Sequence, residues 1–243
     1  MINFPSILTA AVKRRNRGGL PSGYSLLLDA ADTNSYPGSG TSWFDLSGNN
    51  NTATLQTGMM WNAGGYMVLD GVTSTGGYAS VNNSSTITPT TGYTVLIWCY
   101  PTNLNGSSAR WFLCKRTSAT SGQSFATFTL TNNAVNADVP SSDYRKASSN
   151  NLAVNNVWQH FAICWSGANN TLHIYKNGVI DTTFTDAPSS VASQGANLLI
   201  GAGAGNTTRF GGRMGHIAYY NNRALIDSEV LQAYNTHKSR YGL

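Results

Sequence analysis

Charge is scarce in this sequence. Of its 243 residues only 10% are Asp, Glu, Lys or Arg, and Glu229 is the single glutamate, whereas an average soluble domain carries about 25% charged residues. A sugar hydrolase needs two carboxylates flanking the scissile bond. Here no strand-like run places two acids at alternate positions, so such a pair would have to come from separate loops; the chain is not expected to be an enzyme. Cysteine is scarce as well. Cys99, Cys114 and Cys164 are odd in number and set among apolar neighbours, as buried free thiols usually are, which favours a reducing compartment. No run approaches the 18 apolar residues of a membrane span, so membrane insertion is not expected. The apolar FPSILTAAV precedes the basic KRRNR, the reverse of a secretory signal, and no signal-directed export is expected. There is no G-x-S-x-G nucleophile elbow. His160, His173, His216 and His237 form neither an i, i+4 pair nor part of a paired cysteine motif, so the spacing offers no zinc signature.

What is present points to a packed β domain. Apolar residues make up 41% of the chain and aromatics 11%, enough to offset chain entropy by burial. The net charge of +5 is mostly one tract: Lys13, Arg14, Arg15 and Arg17 all precede the first acid, Asp29, and the rest is nearly neutral. Residues 1–22 therefore read as an arm and hinge, and residues 23–243 as one domain. In the arm, Phe4, Ile7, Leu8 and Val12 could be buried against another protein, while Lys13, Arg14, Arg15 and Arg17 make charge-assisted contacts. GGLPSG reads as a flexible joint. The body offers no second basic patch, so nucleic acid is not the expected partner.

Runs of β-branched and aromatic residues separated by Gly, Asn, Ser and Pro predict strands at 94–100, 109–115, 124–130, 157–165, 171–176, 197–201 and 216–220. Asn177-Gly178 predicts a type I′ hairpin, because both central residues must take positive φ. In VWQHFAICW both parities are apolar, which predicts a strand covered on both faces. One amphipathic helix is expected near the C-terminus, capped by Asp227 and ended by Gly242, with Val230, Leu231, Tyr234, His237 and Tyr241 as its apolar stripe.

Two candidate sites follow from residue type. Asp29, Asp32, Asp45 and Asn49 lie in a loop-rich stretch with the hard oxygen donors that calcium takes, although the same side chains also suit turns. No other cofactor is called for. Tyr36, Trp43, Trp61 and Tyr78 could stack on sugar rings if they are exposed, and core or loop packing is the alternative for each.

The segments VWQHFAICWSGANNTLHIYKNGV and LLIGAG, followed by FGGRMGHIAYYNNRALIDSEVLQAY, resemble the closing half of laminin-G-like, concanavalin A-like jelly rolls. LLLDAADTNSYPGSGTSWFDLSGNNNTATL and VLDGVTSTGGYASV resemble the opening of versions found in tailed-bacteriophage virion proteins and bacterial surface proteins. The resemblance implies an all-β sandwich of two antiparallel sheets with an N-terminal arm and a C-terminal helix. It also implies a face or loop rim that binds glycans, often with calcium. Two departures stand out: Ile226 occupies the usual Ser position at the helix start, and the loops 103–108 and 201–207 lack acids. The expectation is a non-catalytic virion structural protein, a capsid decoration or a tail or fibre component assembled in the host cytoplasm. It would be oligomeric in the particle, held to other virion proteins by the arm, and able to meet a cell-surface glycan. A bacterial adhesion or carbohydrate-binding module is the alternative.

Overall fold

The computed structural model describes residues 19–72, 76–116, 125–139, 144–192, 195–206 and 208–243. The arm residues Phe4, Ile7, Leu8, Val12, Lys13, Arg14, Arg15 and Arg17 lie outside this set.

Two antiparallel sheets pack face to face as a jelly roll. The first contains β1 (Leu26–Asp29), β4 (Met59–Asn62), β5 (Tyr66–Asp70), β7 (Gly92–Pro101), β12 (Gln159–Ser166), β13 (Thr171–Lys176), β14 (Val179–Phe184) and β16 (Gly211–Asn221). Its order is β14-β13-β12-β7-β16-β5-β4, and β1 pairs the second half of β16 on the edge where β5 pairs the first half. The second sheet contains β2 (Ser42–Trp43), β3 (Ala53–Leu55), β6 (Ala79–Val81), β8 (Arg110–Cys114), β9 (Ala126–Thr129), β10 (Val135–Asp138), β11 (Arg145–Ala147) and β15 (Leu198–Ile200). Its order is β11-β10-β9-β8-β15-β6-β3-β2.

Alternation along the strands sorts side chains into two cores. Phe161, Ile163 and Trp165 of β12 face the second sheet and join the main core, while Ala162 and Cys164 face outward into a separate cluster with Leu27, Leu96, Tyr220 and Val230. The lid over that outer cluster is α1 (Asp227–His237), which explains why both parities of β12 are apolar. Stacking of Tyr234 on Trp98, with ring centroids 5.6 Å apart, anchors the helix. Asn177 and Gly178 take φ of 51° and 78° and turn β13 into β14, as expected of a type I′ hairpin. All three cysteines are free and buried.

Three details depart from the sequence-based expectations. Asp227 does not cap α1: the extended residue before the helix is Ile226, whose N–H donates to the Glu229 carboxylate at 3.2 Å, while Asp227 accepts from Tyr175 Oη at 2.8 Å. The carboxylate in the third helical position takes the Ile226 N–H, one half of a capping box, while Ile, lacking a polar side chain, cannot supply the other half. Leu231, assigned to the apolar stripe, is exposed. The supposed hinge is docked from Gly19 onward, since Gly19 O accepts from Gln232 Nε2 at 2.8 Å and Pro21 O accepts from Tyr220 Oη at 2.8 Å.

Candidate functional site

β16 contains one extra residue relative to its partner β7. Met214 and Ile217 both face the main core although they are three apart, and the register shifts between Met214 and His216. This bulge at Gly215 resets the alternation, so that His216 points outward with Ala218 and Tyr220. Gly215 also leaves room for the Tyr241 ring, whose hydroxyl a Cβ there would strike. Directly across the ladder from His216 is Asp29 of β1. The last turn of α1 then brings in His237, and the helical turn after it adds Arg240.

These elements enclose a cavity of about 350 Å³ lined by Leu20, Asp29, His216, Thr236, His237 and Arg240 among others. Asp29 Oδ1 accepts from Arg240 Nη1 at 2.7 Å and from the Ala31 N–H at 2.9 Å. The His216 and His237 rings pack at a tilt of 37° with centroids 4.3 Å apart, and the residues are only 2% and 9% exposed. Burial holds the His216 imidazole well below its ordinary range, with His237 and Arg240 adding repulsion. Burial pushes His237 down to about 4, and His160 behind it to about 3. All three are neutral at pH 7. Burial opposes the Arg240 charge, but the hydrogen bond and attraction of Asp29 outweigh it and hold the guanidinium protonated.

Beside the cavity lies a half-buried aromatic group. Tyr66 and Tyr100 both contact Trp158, each at 5.8 Å between ring centroids, and Arg213 sits over both tyrosines at 5.0 and 4.6 Å. Tyr241 packs against Trp158 at a tilt of 43°, with centroids 4.5 Å apart, and thereby joins this group to its chain neighbour Arg240 in the cavity. A second, more open groove of about 510 Å³ runs between β13 and the start of α1, lined by Asn169, His173, Tyr175 and Asp227 among others.

Of the residues singled out from sequence, Asp29 and Asp32 line the first cavity, and the others fall elsewhere or serve other ends. Trp43 and Tyr36 are not surface platforms: they are 0% and 4% exposed, inside the main core. Trp61 packs against that core with its Nε1 donating to Ala30 O at 2.8 Å, and Tyr78 is half-buried under the Arg209 guanidinium at 4.3 Å. The oxygen donors of the proposed calcium set make mostly local hydrogen bonds. Both oxygens of Asp45 are used, Oδ1 by the N–H groups of Leu27 and Ser47 and Oδ2 by Ser47 Oγ and the Asn51 N–H. Asp32 Oδ1 closes a local turn with Asn34, and the Asn49 amide donates to Ser25 O. Only Asp29 enters a group of several ligand atoms, and its companions there are the two histidines. Tyr66, Tyr100, Trp158, His216 and His237 were missed as site residues. Trp158 carried one signal, since it shares the parity of the outward-facing Ala162 and Cys164 on a strand with both faces covered.

Comparison with known proteins agrees with this architecture. Residues 73–231 match the laminin-G family model described as the concanavalin A-like lectin/glucanases superfamily. No curated protein matches the sequence. Among solved structures, the binding domain of Paraclostridial Mosquitocidal Protein 1 aligns at TM-score 0.66 and 17% identity, over 88% of this chain and 52% of that one. The botulinum neurotoxin type C structure, whose cell entry depends on interaction with two ganglioside molecules, aligns at 0.66 and 10% identity, over 88% and 51%. Domain 4 of AbnA, an extracellular arabinanase from Geobacillus stearothermophilus, in complex with arabinotriose, aligns at 0.64 and 16% identity, over 86% and 97%. The chain spans about half the length of the first two. At these identities the likeness is one of fold.

Proposed function

Because the chain belongs to the concanavalin A-like lectin/glucanases superfamily, we propose that it is a non-catalytic carbohydrate-binding module. The observation that carries this reading is the polar cavity and the half-buried aromatic group joined through Arg240 and Tyr241. A sugar presents hydroxyls at its edges and weakly positive C–H groups on its faces. Asp29, Thr236 and Arg240 supply acceptors and donors for the first, and the negative ring faces of tyrosine and tryptophan suit the second. That the arabinanase domain was captured with arabinotriose supports the reading by fold. Glu229, the single glutamate, is tied to Arg223 and to the Ile226 N–H at the start of α1.

A glycan array, run with and without calcium, tests the proposal. Binding of at least one glycan class is expected, weakened on the order of tenfold by Trp158→Ala, while Met60→Ala at an exposed position outside the site leaves it unchanged. Uniform absence of binding under both conditions would sink it.

The finer reading sets this module on a tailed-bacteriophage virion, as a capsid decoration or a tail or fibre component bound to other virion proteins through its arm. The contrast between the basic tract at 13–17 and the nearly neutral body favours it, together with the opening segment. The bacterial adhesion module is the competing placement, and gene neighbourhood separates them: capsid and tail genes on one side, secretion genes on the other.

A further inference from the structure

The histidine pair in the cavity wall is not explained by packing. A buried imidazole ordinarily has partners for its ring nitrogens; the Ala233 carbonyl one turn back faces the His237 ring but makes no well-formed hydrogen bond to its buried Nδ1, and packing one ring against the other satisfies no nitrogen. One nitrogen from each histidine and one carboxylate oxygen of Asp29 lie within 4.8 Å of one another, the only such group of three among the described residues. Asp29 still has an oxygen to give. Its Oδ1 is taken by Arg240 and by the Ala31 N–H, which leaves Oδ2.

From this arrangement we infer that Asp29, His216 and His237 bind a divalent ion of the zinc class. Two imidazoles and one carboxylate suit zinc, cobalt(II) or nickel(II), whereas calcium and magnesium call for oxygen ligands. Donors at about 2.0–2.1 Å from a tetrahedral ion stand about 3.3 Å apart, so the three groups need close by at most about 1.5 Å of side-chain rotation. Both histidines are neutral at pH 7, the form a metal requires. Arg240 acts in two directions. It orients the carboxylate as an outer partner of a metal ligand does, and its positive charge weakens affinity for a cation. The ion would join β1 and β16 to α1 across positions 29, 216 and 237, in the wall of the cavity proposed to take sugar and on the Asp29 that both readings use, and the inference does not depend on that sugar being bound.

Tag-free full-length protein, stripped with EDTA and titrated with Co²⁺, tests it. The expected result is one Co²⁺ per chain with the visible bands of a tetrahedral ion, displaced by Zn²⁺. His216→Asn and His237→Gln should each lose at least tenfold in affinity, while His173→Ala, on another strand, behaves as wild type. Zn²⁺ should also raise the unfolding temperature of the wild type and not that of His237→Gln, whose fold is checked by circular dichroism in EDTA. No uptake, or uptake indifferent to both cavity variants, overturns the site. Repeating the glycan array on the stripped protein keeps the two readings apart: sugar binding with no specific metal uptake refutes only the metal site, and metal uptake with no sugar binding refutes only the lectin reading.

Discussion

His160 shows what burial does to one ionisable side chain. It is enclosed beside Trp98, with Nδ1 lacking a partner, and desolvation, aided by repulsion from His237, pushes its pKa down to about 3. The unfolded chain takes up this proton near the ordinary histidine value of about 6.5, while the folded chain refuses it until far lower pH. Stability is therefore insensitive to this group above pH 6.5 and falls as pH drops below it, by about 1.4 kcal/mol per pH unit. His216 and His237, held down by the same burial, add losses of the same sign. Replacing His160 with Phe should flatten part of this acid limb. Urea unfolding at pH 7 and pH 4.5 checks it, and an equal loss in variant and wild type would contradict the assignment. At this scale the sequence was least legible. The burial of Trp43 is set by pairing within a two-residue strand, and no spacing rule links position 29 to positions 216 and 237. Residue type alone could not decide at Tyr36 between a sugar platform and packing, and it packs in the core.

Among the elements, the long strands and the hairpin were readable because their chemistry is local. Asn-Gly dictates a turn wherever it sits between two apolar runs, and β12 advertised its two covered faces. Gly178 has a second duty that the turn motif does not reveal. A Cβ there would come within 3.1 Å of Leu231 Cδ1 and of Tyr234, so the turn supports α1 as well as reversing the chain. Gly178→Ala combines a strained positive φ with that contact and should cost about 1–3 kcal/mol. Thermal unfolding measures the loss, and near-ultraviolet circular dichroism should report a disturbed Tyr234–Trp98 stack; an unchanged spectrum and midpoint would show that the contact relaxes freely. The short strands β2, β3 and β6 were not legible, since two or three residues carry no usable period. The start of α1 was misplaced because Asp227 is a good cap by residue type, whereas the backbone geometry gave that task to Glu229, two positions on.

For the whole molecule, the two-sheet jelly roll was legible from motifs spread across the chain, because a sandwich core imposes its alternation on many strands at once. The cavity was not, since it exists only where β1, the bulge in β16 and α1 converge. The docking of Gly19 and Pro21 sharpens the test of the proposed anchoring arm. Removing residues 1–18, rather than 1–22, should leave the circular dichroism spectrum and unfolding temperature of the body unchanged while abolishing its incorporation into particles. Normal incorporation of the truncated chain would defeat the anchoring idea. The docking has one more result. Leu20 and Thr236 both line the cavity, and Leu243 follows Thr236 by only seven residues, its N–H bonded back to Lys238 O. Any fusion partner, affinity tag or surface linker attached at either end of the body therefore starts beside the cavity mouth. The choice of immobilisation chemistry in a binding assay becomes a choice about access to the site, and attachment through a residue on the opposite sheet is the orientation that leaves it clear.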